Sequence, residues 1–461
     1  MNGDNKTNMS ETAAKLTEMA RRSGAVDADA LAVNDIGEHV CVRNRKIETI
    51  EREDSRGIGL RAFVKTDGGL AFASASSSDL SDKGINALVN QVMTMAKIST
   101  PDPDAMPPSG ANHPTDEELA AWASRDQREG AWTLGAAKEA ALACEESALA
   151  YSDKIENSEG AEAGFGNTHV AYACADGFAG EYSQSSLGLS LSVIAGAGDA
   201  MQRDYAYSRA RELAKLKAPE LIGREAAERA VRRMGAKSIG TRQTTVIFEP
   251  RMATSILGHL ISAINGRAVL QNRSFLADSS GQIILPEFFQ LTDDPDHPDG
   301  LGNRLFDGEG SRCSKRTIIN SGRLTGFLTD RYAAARLKIE PTGHAIRGLT
   351  GDTAIGTSNL ILNPGKLDSE SLLKEIGNGL LVTEMMGMGV NGVTGDYSRG
   401  AAGFLIENGE ITQPVNEITI AGNLKEMFAN ISHLGSDLTW FGSTAVPSIA
   451  IAKMTVAGQE S

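Results

Sequence analysis

Switches in hydrophobic period constrain this chain more than any other feature of its sequence. Residues 27–75 read as strands, and Asp67-Gly68-Gly69 separates the apolar runs GIGLRAFV and LAFAS. Glycine supplies positive φ there at no steric cost, so the spacing predicts a hairpin. Residues 80–97 then change period: Ile85, Leu88, Val89, Val92 and Ala96 fall on one helical face. Strands followed by a helix recur over 154–234, where Pro219 and Glu220 open a helix and Gly235 stops it. Duplication of one unit would explain this recurrence, but no motif repeats literally, which favours two unrelated units.

Helices are also predicted over 11–22 and 135–149. Between the two strand-and-helix regions, STPDPDAMPPSGANHPTDEE at 99–118 carries five prolines among small polar residues. It reads as a linker or long loop. After residue 240 the chain turns strand- and glycine-rich, with helical patterns only near 251–264, 329–337, 368–379 and 423–433. Strands and helices segregate, so the expected class is α+β. The expected layout is an N-terminal α/β domain at 1–98, a linker or long loop at 99–134, a middle α/β domain at 135–236 and a mainly-β C-terminal domain at 237–461.

Charge and composition exclude several functions. Forty-five Lys+Arg against 59 Asp+Glu leave a net charge of −14, the wrong sign for a phosphate-backbone binder. Cys41, Cys144, Cys174 and Cys313 form no C-x-x-C pair and read as free thiols of a reducing compartment. The first residues lack an apolar signal core, and no run approaches the ~18 apolar residues of a membrane span. A cytoplasmic protein that binds neither nucleic acid nor membrane is therefore expected.

Catalytic signatures fail one by one. No histidine is followed by glutamate, and no two histidines lie a helical turn apart, which excludes a local H-E-x-x-H zinc site. The nucleophile elbow G-x-S-x-G and the phosphate loop are absent. Gly387, Gly389 and Gly392 satisfy G-x-G-x-x-G, but the following VTGDYSRGAAGF cannot open the helix that a dinucleotide site needs. Three glycine-bounded polar loops remain. The first holds Arg304, Asp307, Glu309 and Arg312, as a solvated turn or a cleft rim. The second holds His344 and Arg347. The third holds Asn391, Asp396, Tyr397, Ser398 and Arg399, where tight turns suit close approach to an extended ligand.

These loops, in this order, resemble the TldD/PmbA family, whose members are often labelled modulators of DNA gyrase. The carrying blocks are GIGLRAFV at 57–64, LFDGEGSR at 305–312, INSGRLTGFLTDRYAAARL at 319–337, PTGHAIRG at 341–348 and SNLILNPG at 358–365. GLLVTEMMGMGVNGVTGDYSRGAAGF from 379, ISHLGSDL at 431–438 and PSIAIAKMTVAG at 447–458 complete them. The resemblance implies two branches. TldD-type members carry H-E-x-x-x-H on a helix and a Cys near the C-terminus, and bind zinc as peptidases. PmbA-type members, also called TldE, pair with them to cleave unfolded peptides.

Here the metal helix looks like SILGHLISAING at 255–266, so the two histidines fall on Gly258 and Ala263 and the glutamate on His259. The Cys falls in WFGSTAVPS at 440–448, which has none. The resemblance therefore implies a non-catalytic PmbA/TldE-type subunit with no cofactor of its own, and zinc in a TldD-type partner. A stand-alone homodimeric peptide-binding scaffold is the alternative. The three polar loops are expected to face the partner or the peptide. Replacing Arg347 or Arg399 by alanine should then impair assembly or turnover without disturbing the fold.

Overall fold

The computed structural model describes residues 8–125 and 132–459; the last part of the expected 99–134 linker, at 126–131, lies outside them. Six antiparallel strands form one sheet: β1 (Asp27–Arg43), β2 (Lys46–Thr66), β3 (Gly69–Ser77), β4 (Ile155–Cys174), β5 (Ala179–Ala195) and β6 (Gln202–Ala210). Their order is β3-β2-β1-β4-β5-β6, so β1 and β4 join the two halves at the centre. Helices α1 (Met9–Arg22) and α2 (Asp82–Ile98) flank the first three strands in sequence. After α3 (Asp116–Arg125), helices α4 (Leu134–Leu149) and α5 (Pro219–Arg232) flank the second three. The order helix, three strands, helix thus occurs twice within one sheet.

Strand alternation separates the sheet's two faces. Ala28, Ala30 and Ala32 of β1 pack with α1 and α2, and Val40 and Val42 with α4 and α5. These even positions put all four helices on one face. The odd positions Asp29 and Leu31 point the other way, towards Phe306 of the C-terminal region. Helix starts are chemically marked: the Asn8 side chain accepts from the Ser10 and Glu11 amides at 3.1 and 3.2 Å, and the Thr133 hydroxyl caps α4.

The C-terminal region contains β7 (Arg242–Phe248), β8 (Leu291–Asp293), β9 (Arg316–Asn320), β10 (Arg323–Leu324), β11 (Ala345–Ile346), β12 (Ala354–Ile355) and β13 (Leu360–Leu362). It continues with β14 (Gly379–Met386), β15 (Asp396–Glu407), β16 (Glu410–Asn423), β17 (Ile431–Leu434), β18 (Thr439–Phe441), β19 (Thr444–Val446) and β20 (Ile449–Ala457). Strands β16-β15-β14-β7-β20 close into a barrel through the β16–β20 pairing, and β17 extends it beyond β20. A second sheet runs β10-β9-β8-β13-β19-β18. Helix α6 (Pro250–Ala263) lies between them, packed on β7, β14, β18 and β19. One apolar core containing Phe248, Leu257, Leu291, Leu380 and Ile451 unites barrel, helix and second sheet.

Four short helices complete the region: α7 (Gly266–Leu270), α8 (Arg331–Leu337), α9 (Ser369–Ile376) and α10 (Leu424–Ala429). Two are shorter than the period predicts. The 368–379 helix ends at Ile376 because Gly377 turns out at φ +70°. The 423–433 helix ends at Ala429, and Ile431 and Leu434 belong to β17, whose register against β20 shifts between Ile431 and His433.

The proline-rich stretch after α2 ties the sheet to the C-terminal region. Arg331 of α8 donates to the carbonyls of Pro107, Pro108 and Ser109 at 2.6, 2.5 and 3.1 Å, while Ser109 Oγ donates to Asp27 of β1 at 2.8 Å. Among the described residues no helix is long and apolar enough to cross a membrane.

Candidate functional site

Two buried ionic networks fix the C-terminal region to the sheet, one on its open face and one on the helix-covered side at the β6 edge. In the first, cross-strand neighbours Asp29 and Arg61 make a bidentate pair at 3.2 and 2.8 Å. Arg347 brings a second guanidinium to Asp29 at 2.5 Å, and Tyr172 donates its hydroxyl at 3.2 Å. Burial opposes the Asp29 charge, but Arg347 and Arg61 overcome it and hold the carboxyl below its usual range. Arg61 continues to Asp352, which Arg267 also binds, and Arg267 reaches Asp330 at 2.6 Å.

Backbone approach makes this junction. An alanine β-carbon at Gly59 would stand 2.1 Å from the Leu349 carbonyl oxygen, and one at Gly57 would stand 2.3 Å from the Leu349 side chain. The two glycines of GIGLRAFV are thus the seat of the loop that carries Arg347.

The second network centres on Asp204 of β6. It receives Arg229 of α5 at 3.2 Å, Arg251 of α6 at 3.0 Å and Arg233 at 3.5 Å. Arg229 also clamps Glu249 at 2.6 and 3.1 Å. Burial works against the Asp204 carboxylate, yet Arg229 and Arg251 keep it below its usual range.

The polar loops divide between these interiors and the surface. Arg304, Asp307 and Glu309 are buried; LFDGEGSR is not a solvated turn. Asp307 accepts from the amides of Glu309, Ser311 and Ala345, which organises the turn. Arg304 donates to the Gly356 carbonyl at 3.1 Å. Burial pushes the Glu309 carboxyl up to about 7. Arg312 is exposed and pairs with Glu118 of α3. His344 is buried, its Nδ1 2.7 Å from the Thr342 carbonyl oxygen and its Nε2 3.3 Å from Asp293. Asn391, Asp396 and Ser398 are exposed, whereas Tyr397 is buried and Arg399 half-buried.

Tyr397 and Arg399 meet the polar side of α6. The Tyr397 ring sits edge-on to His259, with centroids 5.8 Å apart, and its hydroxyl donates to Met385 Sδ at 3.2 Å. Burial, with Arg399 nearby, lowers the pKa of His259. The buried His259 Nε2 and Arg399 Nε have no hydrogen-bond partner among the described residues, and unsatisfied buried polar atoms carry a cost that a ligand or partner can remove. A β-carbon at Gly258 would meet nothing within 4 Å, while Ala263 is buried in the core. The segment 439–446 packs against the same helix and presents Trp440, Phe441 and small residues.

Beside the second network a groove crosses the open face of the sheet. One cavity of about 500 Å³ is lined by Tyr205, Tyr207, Arg209, Arg251, Trp440 and Phe441. A second, of about 760 Å³, runs over Gly37, His39, Glu53, Gly164, Gly166 and Gly188. Tyr207, Arg209, Leu301 and Gly442 line both, so the two are continuous. The floor is open at Gly166, the His39 ring lies over Gly37 and Gly164, and the aromatics form one wall.

Three sequence profiles match the chain in order. They are described as PmbA/TldA metallopeptidase domain 1 at residues 28–96, central domain at 129–234 and C-terminal domain at 241–458. The chain belongs to the PmbA/TldD family. Among its PmbA/TldD relatives, the metalloprotease PmbA of Escherichia coli O157:H7 is 36% identical over 454 residues, covering 96% of this chain and 95% of that one. The PmbA homolog of Haemophilus influenzae is 34% identical, with 96% and 94% covered.

Among solved structures, a Bacteroides thetaiotaomicron protein described as a modulator of DNA gyrase matches with TM-score 0.85 and 27% identity, covering 97% of this chain and 98% of that one. TldE of Thermococcus kodakarensis shares the fold at TM-score 0.81 and 20% identity, with 97% and 100% covered. In this PmbA/TldD chain, the stretch Gly258–Ala263 of α6 offers a single ligand-bearing side chain, His259.

Sequence reasoning missed Asp29, Arg61, Asp204, Arg229 and Arg251. The signal was present: Asp29 in DADALAV and Arg61 in GIGLRAFV are charges at inward positions of otherwise apolar strands, which only buried partners can stabilise.

Proposed function

We propose that this chain is the PmbA/TldE-type, non-catalytic subunit of a TldD-type zinc metallopeptidase assembly acting on unfolded peptides. The observation that carries the reading is the composition of α6. At the three positions where the family resemblance places the metal motif stand Gly258, His259 and Ala263, and the facing segment 440–448 lacks cysteine. Zinc that activates water takes three protein ligands and an open position. One imidazole beside a glycine, an alanine and an aromatic strand does not fit that requirement, so no hydrolytic step is assigned to these residues.

The unpaired His259 Nε2 and Arg399 Nε, beside the small exposed position Gly258, support a surface completed by something outside the chain. The groove supports the substrate class. Strand β6 lines the groove and is an edge strand of the sheet, and an extended peptide can add to a strand edge whatever its side chains, while Tyr205, Tyr207 and Trp440 offer non-specific apolar contact. Arg312, Asn391, Asp396 and Ser398 are the exposed loop residues proposed to meet partner or peptide.

The test is reconstitution. The purified chain alone should leave an unfolded casein substrate intact, and adding a zinc-loaded TldD-type subunit should start cleavage above that subunit's own rate. Zinc-dependent cleavage by this chain alone would sink the proposal.

A further inference from the structure

We propose that His113, Cys174 and Asp176 form a binding site for a divalent cation of the zinc type, which clasps the proline-rich strap to the sheet. His113 lies in the strap after α2, Cys174 ends β4, and Asp176 lies in the β4–β5 turn. A His113 ring nitrogen, Cys174 Sγ and an Asp176 carboxylate oxygen all lie within 4.8 Å of one another. Tetrahedral bonds of about 2.0–2.3 Å put ligand atoms roughly 3.5 Å apart, so a contraction of about an ångström completes the set.

Each donor is already oriented by something else. His113 Nδ1 lies 2.8 Å from the Gly310 carbonyl oxygen, which can only accept, so the ring's first proton belongs on Nδ1. That directs the Nε2 lone pair at Asp176 Oδ2, 3.0 Å away, another acceptor. Two acceptors facing one another require a cation between them: a second ring proton or a metal. A backbone carbonyl fixing the remote nitrogen is how metal-bound imidazoles are usually held. The ring also stacks on Phe178 at 4.1 Å between centroids, nearly parallel. The Asp176 carboxylate is held by the amides of Gly110 at 2.9 Å and Phe178 at 3.2 Å.

Cys174 decides between proton and metal. A proton on Nε2 accounts for the His113–Asp176 pair but not for a thiol placed within 4.8 Å of both groups. The thiol is buried, with the Ser109 hydroxyl 3.7 Å away and the Asp176 backbone amide as its polar neighbours. Cross-strand from Asp29, it points to the same face as the ion network, not into the helix-covered core. Nitrogen, thiolate and carboxylate together suit zinc or cobalt(II) better than calcium or magnesium. On loading, the cation displaces the thiol proton and any proton on Nε2 to solvent, with no change of oxidation state. Asp176 is exposed and leaves an entry route and a fourth position for water. Because Gly310 holds the imidazole, the clasp joins strap, sheet and C-terminal region at one point. None of its ligands lies on α6, so it stands or falls apart from the peptidase-subunit reading.

The experiment uses the full chain, stripped with a chelator and titrated with cobalt(II) chloride. The expected result is one equivalent bound, with a thiolate-to-cobalt charge-transfer band that zinc sulfate abolishes. Cys174→Ser should lose the band. Cys41→Ser, Cys144→Ala and Cys313→Ser should each keep it, which identifies the thiolate even if Cys174→Ser does not fold. His113→Gln should weaken binding at least ~10-fold. Absence of the band in the unaltered protein, or its persistence in folded Cys174→Ser, would overturn the proposal.

Discussion

Arg347 and Asp29 meet at 2.5 Å with both side chains wholly buried, one on a C-terminal loop and one on the central strand of the N-terminal sheet. Removing Arg347 leaves Asp29 with Arg61 as its remaining guanidinium, and the loss of a buried charge-assisted contact costs about 1.5–3 kcal/mol. Arg347→Ala is therefore expected to lower the chain's own unfolding free energy by that amount in urea, before any partner is added. The sequence expectation that Arg347 could be removed without harm to the fold is corrected by this burial. Arg347→Ala and Asp29→Ala combined should cost less than the sum of the two. Additive losses would show that the pair does not couple.

Gly59 gives a steric version of the same test. Its missing β-carbon would stand 2.1 Å from the Leu349 carbonyl oxygen, so Gly59→Ala must push back the loop that delivers Arg347. Overpacking of this kind costs about 1–3 kcal/mol. Gly166→Ala, whose β-carbon meets nothing within 4 Å, is the matched control in a neighbouring part of the sheet. Equal melting temperatures for the two variants would refute the steric argument.

Local chemistry explains which parts of this architecture were legible in the sequence. The 67–69 turn was readable because glycine marks it, and the register pairs Thr66 with Gly69, leaving Asp67 and Gly68 as the loop. Helix α2 was readable because its apolar face repeats at helical spacing, and α5 because Pro219 and Gly235 mark its ends. The pairing of β1 with β4 was not, because neither strand names its partner in sequence. The loop 304–312 misled for a related reason. Four charges and two glycines look solvated in one dimension; only the arrival of Arg61, Arg331 and Ala345 from elsewhere makes their burial tolerable. His113, Cys174 and Asp176 are likewise brought together by β4 and the strap and by no local spacing.

Glu309 gives a pH signature. Burial raises its pKa from the ordinary 4.5 to about 7, against the pull of Arg61. The folded state therefore holds this proton over a window where the unfolded chain has released it. Stability from this site is present at low pH and is lost as pH rises from the unfolded value through about 7, then levels off. The shift corresponds to roughly 3 kcal/mol at most. Glu309→Gln keeps an acceptor for the Arg331 amide and cannot ionise. It should match the unaltered protein near pH 4 and exceed it in stability near pH 8. A difference that does not change between these two pH values would remove Glu309 as the cause.

Arg399 is the opposite case to Arg347. It is half-buried, has no carboxylate within ion-pair distance among the described residues, and its guanidinium lies near His259 and Tyr397 on the polar side of α6. Truncating it costs the isolated chain little beyond its hydrogen bond to Tyr397, about 0.5–1.5 kcal/mol. If the α6 surface is completed by a TldD-type partner or its peptide, the same truncation removes a charge-assisted hydrogen bond worth about 1.5–3 kcal/mol. Arg399→Ala should then fold normally and weaken turnover of the reconstituted assembly by about 10- to 100-fold. Trp440→Ala, on the groove wall, should raise KM for unfolded peptide and leave assembly unchanged. Turnover that survives both substitutions would detach the groove and the α6 surface from substrate handling.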